Sequence, residues 1–235
     1  MTRFEPDGLV GQVPPRGLRY LTHAIAAGTV LAREAMVTYS GRLRLKPDRP
    51  WLPFQATELI GAGRSYRVSA RAGRGPLRAT IEDVYEGGRA RSRLRAFGTV
   101  TIRSERGDDL ARSARGRLVV DSTWLPSAFL PSLGVRWSDE DGNGVRLSVP
   151  VDGEDVDATL GLGADGALRA IRLPRWSNLT PDGRYDWVPF SARVEAERTF
   201  GGYTIPSAVT AVWHLCIDQA FEFFHAAVSD VQFRP

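Results

Sequence analysis

Apolar and polar residues alternate with a period of two along most of this chain. Tyr66, Val68 and Ala70 alternate with Arg67, Ser69 and Arg71, and residues 36–45 alternate until Asp48-Arg49-Pro50 breaks the run. That period puts successive side chains on opposite faces of a strand, so these stretches predict half-buried β-structure. Residues 51–60 predict the next strand, ended by Gly61-Ala62-Gly63. Residues 77–85 and 89–102 predict a hairpin across Glu86-Gly87-Gly88. In its second arm Arg89, Arg91, Arg93 and Arg95 share one face, opposite Ala90, Ser92, Leu94 and Ala96.

The second half repeats the rhythm. Residues 135–139 and 145–151 predict a hairpin across Glu140-Asp141-Gly142-Asn143-Gly144, and 156–162 and 168–173 another across Gly163-Ala164-Asp165-Gly166. Runs at 187–199, 205–217 and 221–233 complete an antiparallel meander of roughly ten or eleven strands. Two stretches break the pattern. Pro14-Pro15 precedes a helical stripe of Leu18, Leu21 and Ile25, with Gly28 placed to stop it. Leu110, Ala114 and Leu118 behind Asp108-Asp109 predict a second helix at about 108–125, with Gly116 as its weak point and an apolar, proline-bounded loop after it.

The fold class expected is therefore mainly β (α+β): one long antiparallel sheet curled into a barrel or half-barrel. A helical segment within residues 1–33 and one inserted helix accompany the sheet, all in a single domain over 1–235. Curling removes the long exposed edges that a flat sheet of this size would present. Its interior is either filled by side chains or left as a cavity.

Composition adds turns and charge to this picture. The 24 glycines and 15 prolines among 235 residues favour many short elements over a helical bundle. The net charge is +4, and Lys46 is the only lysine among the basic residues. The arginines run from Arg3 to Arg234 interrupted by acids, with no block of like charge, so they read as surface cations and no nucleic-acid partner is expected. Cys216 stands alone, which leaves it neither an intrachain disulfide nor a thiolate metal site, and it is expected to be a packed thiol. The start of the chain lacks a secretory pattern. The uncharged run 199–217 alternates and contains Gly201-Gly202, Pro206 and His214, so no transmembrane segment is expected and the chain reads as cytoplasmic.

Three stretches carry a resemblance. Ala111-Arg112-Ser113-Ala114-Arg115-Gly116-Arg117 runs on to Asp121 and to the motif Trp124-Leu125-Pro126-Ser127-Ala128-Phe129-Leu130-Pro131. The others are Trp51-Leu52-Pro53-Phe54 and Arg198-Thr199-Phe200-Gly201-Gly202-Tyr203-Thr204-Ile205-Pro206-Ser207. Together they resemble an uncharacterised bacterial protein family, many of whose members sit behind membrane segments. The resemblance covers nearly the whole chain after about residue 14. It implies a β-rich fold and no established activity. Position 121, an aspartate here, is usually glutamate in that family. The architecture is also similar to the lipoprotein-carrier half-barrel with its apolar groove, a fold used by lipid carriers and by cofactor-free natural-product enzymes.

Chemistry is sparse. His23, His214 and His225 stand far apart outside any ligand frame, so no metal is expected. A phosphate loop and Gly-x-Ser-x-Gly are both absent, and no cofactor is expected. What remains is acid/base work in an apolar cavity. Asp121, between Val119-Val120 and Trp124-Leu125, is the candidate proton donor or base; the alternative is that it pairs with an arginine or caps a turn. Asp83 and Tyr85 share a strand face and are candidate orienting groups, or exposed hairpin residues. Trp213 and His214 point to opposite faces, so an inward Trp213 removes His214 from the site. Trp51, Phe54, Tyr66, Trp124, Trp137, Trp176 and Trp213 are the candidate ligand wall, with core filling as the alternative. Tyr203, behind two glycines, reads as turn architecture.

Two functions follow from this set. One is a cavity that binds an apolar or amphiphilic small molecule and catalyses its cofactor-free, acid/base-assisted cyclisation or isomerisation. The other is a non-catalytic carrier or sensor of a lipid or other hydrophobic ligand.

Overall fold

The computed structural model describes residues 1–75, 78–96, 100–140, 142, 144–216 and 219–235, without the side chains of Cys216 and Gln219. The expectation of a packed Cys216 thiol, the first residue of the strand expected at 77–85, two tip residues of the 140–144 hairpin and residues 97–99 of the arginine arm lie outside these. Six strands follow the N-terminal helix α1 (Pro15–Ala24): β1 (Glu34–Leu43), β2 (Leu52–Gly61), β3 (Ser65–Ala72), β4 (Ala79–Glu86), β5 (Arg89–Ala96) and β6 (Val100–Arg106). Helix α2 (Asp108–Asp121) and three short 3-10 turns come next. The chain then returns through β7 (Arg136–Asp139), β8 (Gly144–Val151), β9 (Glu154–Leu162), β10 (Leu168–Ser177), β11 (Asp186–Phe200), β12 (Tyr203–Cys216) and β13 (Gln219–Arg234).

All thirteen strands belong to one antiparallel sheet, ordered β6-β5-β4-β3-β2-β1-β13-β12-β11-β10-β9-β8-β7. Every neighbouring pair is consecutive in sequence except β1 and β13, which join the two halves at the centre. The edges are β6 and β7, and α2 connects one to the other. The sheet is curled but not closed, a half-barrel. Ile81 on β4 and Arg175 on β10 line the same cavity although six strands separate theirs. Laid flat, seven spacings of about 4.8 Å would put those strands about 34 Å apart.

Three details differ from the sequence expectations. Thirteen strands are present rather than ten or eleven; the arginine arm expected at 89–102 is two strands, β5 and β6. β6 is an exposed edge carrying Arg103, Glu105 and Arg106, and an edge strand need not alternate. Helix α2 ends at Asp121 rather than 125 because Leu125 precedes Pro126, which disfavours helical backbone, and Leu125 takes φ −134° and ψ 71°. The helix also runs unbroken through Gly116. A Cβ there would sit 3.1 Å from Cγ of Arg175, so the missing side chain makes room for that arginine beneath the helix.

Two of the three family-like stretches, 124–131 and 198–207, meet in one clasp. Trp124 Nε1 donates to the Pro206 carbonyl at 3.0 Å, and Ser127 Oγ donates to the Ala32 carbonyl at 2.6 Å. Tyr203 Oη accepts from the Ala32 amide at 2.8 Å and donates to the Val30 carbonyl at 3.1 Å, which makes it architecture, as its position behind Gly201-Gly202 suggests. Helix α1 closes against the same loop: Leu21 and Ile25 are fully buried, and the Tyr20 ring lies 6.5 Å from Phe129. Among the described residues, no helix is long and apolar enough to cross a membrane.

Candidate functional site

Between α2 and the concave face of the sheet lies a cavity of about 300 Å³, at the lower end of the volumes that hold small molecules. Inward parity supplies most of its wall, and a bulge in β13 opposite Ala211 and Val212 brings the adjacent Phe223 and Phe224 both onto it. Tyr39 and Leu43 come from β1, Phe54 and Ala56 from β2, Val68 and Ala70 from β3, and Ile81 and Asp83 from β4. Phe190 and Ala192 of β11, Val209, Ala211 and Trp213 of β12, and Phe223 and Phe224 of β13 complete it. Phe54 and Phe224 stack at 5.1 Å, and Phe190 meets Trp213 edge-on at 5.0 Å. Small residues between the rings leave the space that larger ones would fill.

The polar groups cluster on the floor around Arg117 of α2. Its Nε donates to Asp121 Oδ2 at 2.9 Å, one helical turn on, and its Nη1 donates to Asp83 Oδ2 at 2.9 Å. Its Nη2 stands 3.8 Å from Glu58 Oε2, and its guanidinium covers the Tyr66 ring at 4.8 Å. Ser92 Oγ donates to the other oxygen of Asp83 at 2.6 Å. Burial opposes the charge on Arg117, yet Asp121, Tyr66, Glu58 and Asp83 hold its pKa raised.

Glu58, behind this floor and not itself on the cavity lining, is fully buried at 0 % exposed. It follows Phe54 and Ala56 on the inward row of β2, so strand parity alone carries it into the interior. Burial, then the neighbouring Asp121 carboxylate, push its pKa well above the carboxylate range, against the pull of Arg117. Its Oε2 accepts from Tyr39 Oη at 2.8 Å. Its Oε1 has no hydrogen-bond partner among the described residues.

Arg175 of β10 is a buried cation, 9 % exposed, where Arg117 is only half-buried. Its guanidinium lies over the rings of Phe190 and Trp213 at 4.7 and 5.0 Å. Burial, then the charge of Arg117, lower its pKa to about 10, and it stays charged near neutrality.

Of the acid/base candidates, Asp121 and Asp83 meet at Arg117 and line the cavity, while Tyr85 does not line it. Tyr85 is buried on the same strand face and donates to Asp152 Oδ2 at 2.5 Å, bracing the β8–β9 turn. Of the seven aromatic candidates, Phe54, Trp124 and Trp213 line the cavity and the other four do not. Tyr66 lies beneath Arg117. Trp51 sits between Arg42 and Arg44 outside. Trp137 packs on Tyr20 and would collide with any side chain at Gly17. Trp176 donates to Asp109 Oδ1 at 2.7 Å and packs beside Trp187. His214 is exposed and bonds Ser191 Oγ at 2.9 Å, on the face opposite Trp213. Glu58, Arg117, Arg175 and Tyr39 are the site residues that the sequence reading missed. Among the described residues no cluster of side chains could hold a metal ion.

Comparison with known proteins agrees with this architecture. A LolA superfamily protein from Nitrosomonas europaea is 11% identical, with a TM-score of 0.50 over 94% of this chain and 92% of that one. A putative outer membrane lipoprotein-sorting protein domain from Vibrio parahaemolyticus is 10% identical, with a TM-score of 0.48 over 85% of each chain. A DUF1329 family protein from Desulfovibrio piger is 8% identical, with a TM-score of 0.47 over 93% of this chain and 90% of that one. At such identities the likeness to the Nitrosomonas protein is one of fold. No curated protein matches. A family described as "Family of unknown function (DUF6544)" matches residues 3–226.

Proposed function

The chain belongs to the DUF6544 family of unknown function, and from that premise we propose that its half-barrel binds an apolar or amphiphilic small molecule as a non-catalytic carrier or sensor. One observation carries this reading: the interior of the curled sheet keeps a largely apolar space of about 300 Å³, with Asp83, Arg117, Asp121 and Arg175 gathered by α2 and Arg44 beside Leu43 and Leu45. Burying an apolar guest there is worth about 25 cal/mol per Å² removed from water. The likeness in fold to a LolA superfamily protein supports the same reading. Catalysis ranks second. The Glu58–Asp121 carboxyl pair favours an acid/base-assisted cyclisation or isomerisation without cofactor. Against it, Asp121 and Asp83 are both engaged by Arg117.

Native mass spectrometry of the purified protein tests the proposal. One co-purified or added apolar molecule per chain is expected, and it should be lost when Ala211→Phe fills the space. A chain that stays empty with every apolar compound offered would contradict it. The two readings separate at Asp121→Asn: a carrier keeps its ligand and shows no product from it in either form, whereas an enzyme keeps the ligand and loses turnover.

A further inference from the structure

The apolar wall says what the guest's body is; the floor says what its head is. Arg117 has its donors engaged by Asp121 and Asp83 and its face on Tyr66. Arg175 differs. A guanidinium presents five N–H donors in its plane, and stacking on Phe190 and Trp213 uses only its faces. Among the described residues, its sole acceptor is the Ser113 carbonyl, 3.5 Å from Nη2, and its buried Nε has none. Among the described residues no carboxylate pairs with it; Asp121, whose charge acts on it, is committed to Arg117. A cation 9 % exposed on a cavity wall, with most of its donor edge unmatched, is costly unless something completes it.

We propose that Arg175 is the head-group site of the cavity and that the ligand is an anionic amphiphile, a hydrocarbon body ending in a carboxylate or similar oxyacid. This rests on the cavity reading above and deepens it. The acid seats on the donors of Arg175 that face the cavity, its stem held against Gly116 of α2, and the chain runs along Phe54 and Phe224 toward Leu43 and Leu45 at the rim. Arg44, also on the lining, is the rival cation. Its Nε and Nη1 already donate to the carbonyls of Glu222 and Pro47, at 2.7 and 3.0 Å. Its donors are met where those of Arg175 are not.

Displacement of the neutral fluorophore N-phenyl-1-naphthylamine by decanoate, methyl decanoate and decylamine tests the assignment. All three share a chain and differ in the head. Decanoate is expected to bind about ten- to hundredfold more tightly than the ester, the worth of a charge-assisted hydrogen bond, and the amine most weakly. Arg175→Met keeps the length and apolar stem of the side chain; it should bring decanoate to within about twofold of the ester. Arg175→Lys should restore part of the preference. Equal binding of acid and ester in the natural chain overturns the proposal, as does a preference that survives Arg175→Met or disappears only in Arg44→Met. Binding of the ester without that preference leaves the cavity reading intact, whereas failure of the fluorophore and all three compounds to bind overturns both.

Discussion

Glu58 shows how one residue's environment sets its chemistry. In the unfolded chain it titrates as an ordinary carboxyl; in the folded one, burial and Asp121 keep its proton on well above that range. The folded state thus binds the proton more tightly. This contribution to stability is complete below the unfolded pKa and is lost as pH rises through the folded one. Glu58→Gln, which mimics the protonated form, should lack that loss. Its melting temperature should gain on the natural protein between pH 5 and pH 8, by at least the few degrees that about 1 kcal/mol represents in a domain of this size. Parallel melting-temperature profiles for the two proteins would contradict this assignment. The parity that buries Glu58 is legible in the sequence, because Phe54, Ala56, Glu58 and Ile60 alternate with Gln55, Thr57 and Leu59. A glutamate in a strand nonetheless reads as solvated, because the Arg117 and Tyr39 that make its burial tolerable come from elsewhere in the chain. Trp213 and His214 are the simpler case, where alternation alone separates an inward ring from an exposed one.

At the scale of elements, the hairpins declare themselves through glycine turns and alternation, since each strand pairs with its sequence neighbour. The β1–β13 seam does not. It joins residues nearly the whole chain apart, and no local signal encodes such a pairing. Its close approach centres on Gly41, where an added Cβ would lie within 1.8 Å of the His225 carbonyl oxygen. Backbone cannot yield there as a flexible side chain would. Gly41→Ala is expected to destabilise the protein by about 3 kcal/mol, read as a lower urea midpoint with an unchanged slope. Gly8→Ala, with open space around its Cβ, serves as the control. A midpoint for Gly41→Ala equal to that of the control would mean that the seam is looser than described.

At the scale of the whole molecule, an open sheet curls far enough that strands from its two wings face one space, with α2 across it. The apolar character of that space follows from strand parity, but its emptiness does not. Whether inward side chains meet or leave a hollow depends on how Ala56, Ala70, Ala192 and Ala211 fall opposite one another once the sheet curves. That is why the sequence predicts a curled sheet and leaves open whether its interior is filled.

The hollow itself can be probed through the tryptophans that line it. Trp124 and Trp213 border the cavity, while Trp187 stands exposed outside. Titration with a neutral bromoalkane, whose heavy atom quenches indole fluorescence on contact, is the most direct measurement. The account predicts saturable quenching with one quencher per chain, abolished in Ala211→Phe and retained in Trp187→Phe. Quenching that fails to saturate, or that survives the filled cavity while disappearing with Trp187, would place the alkane on the surface and contradict it.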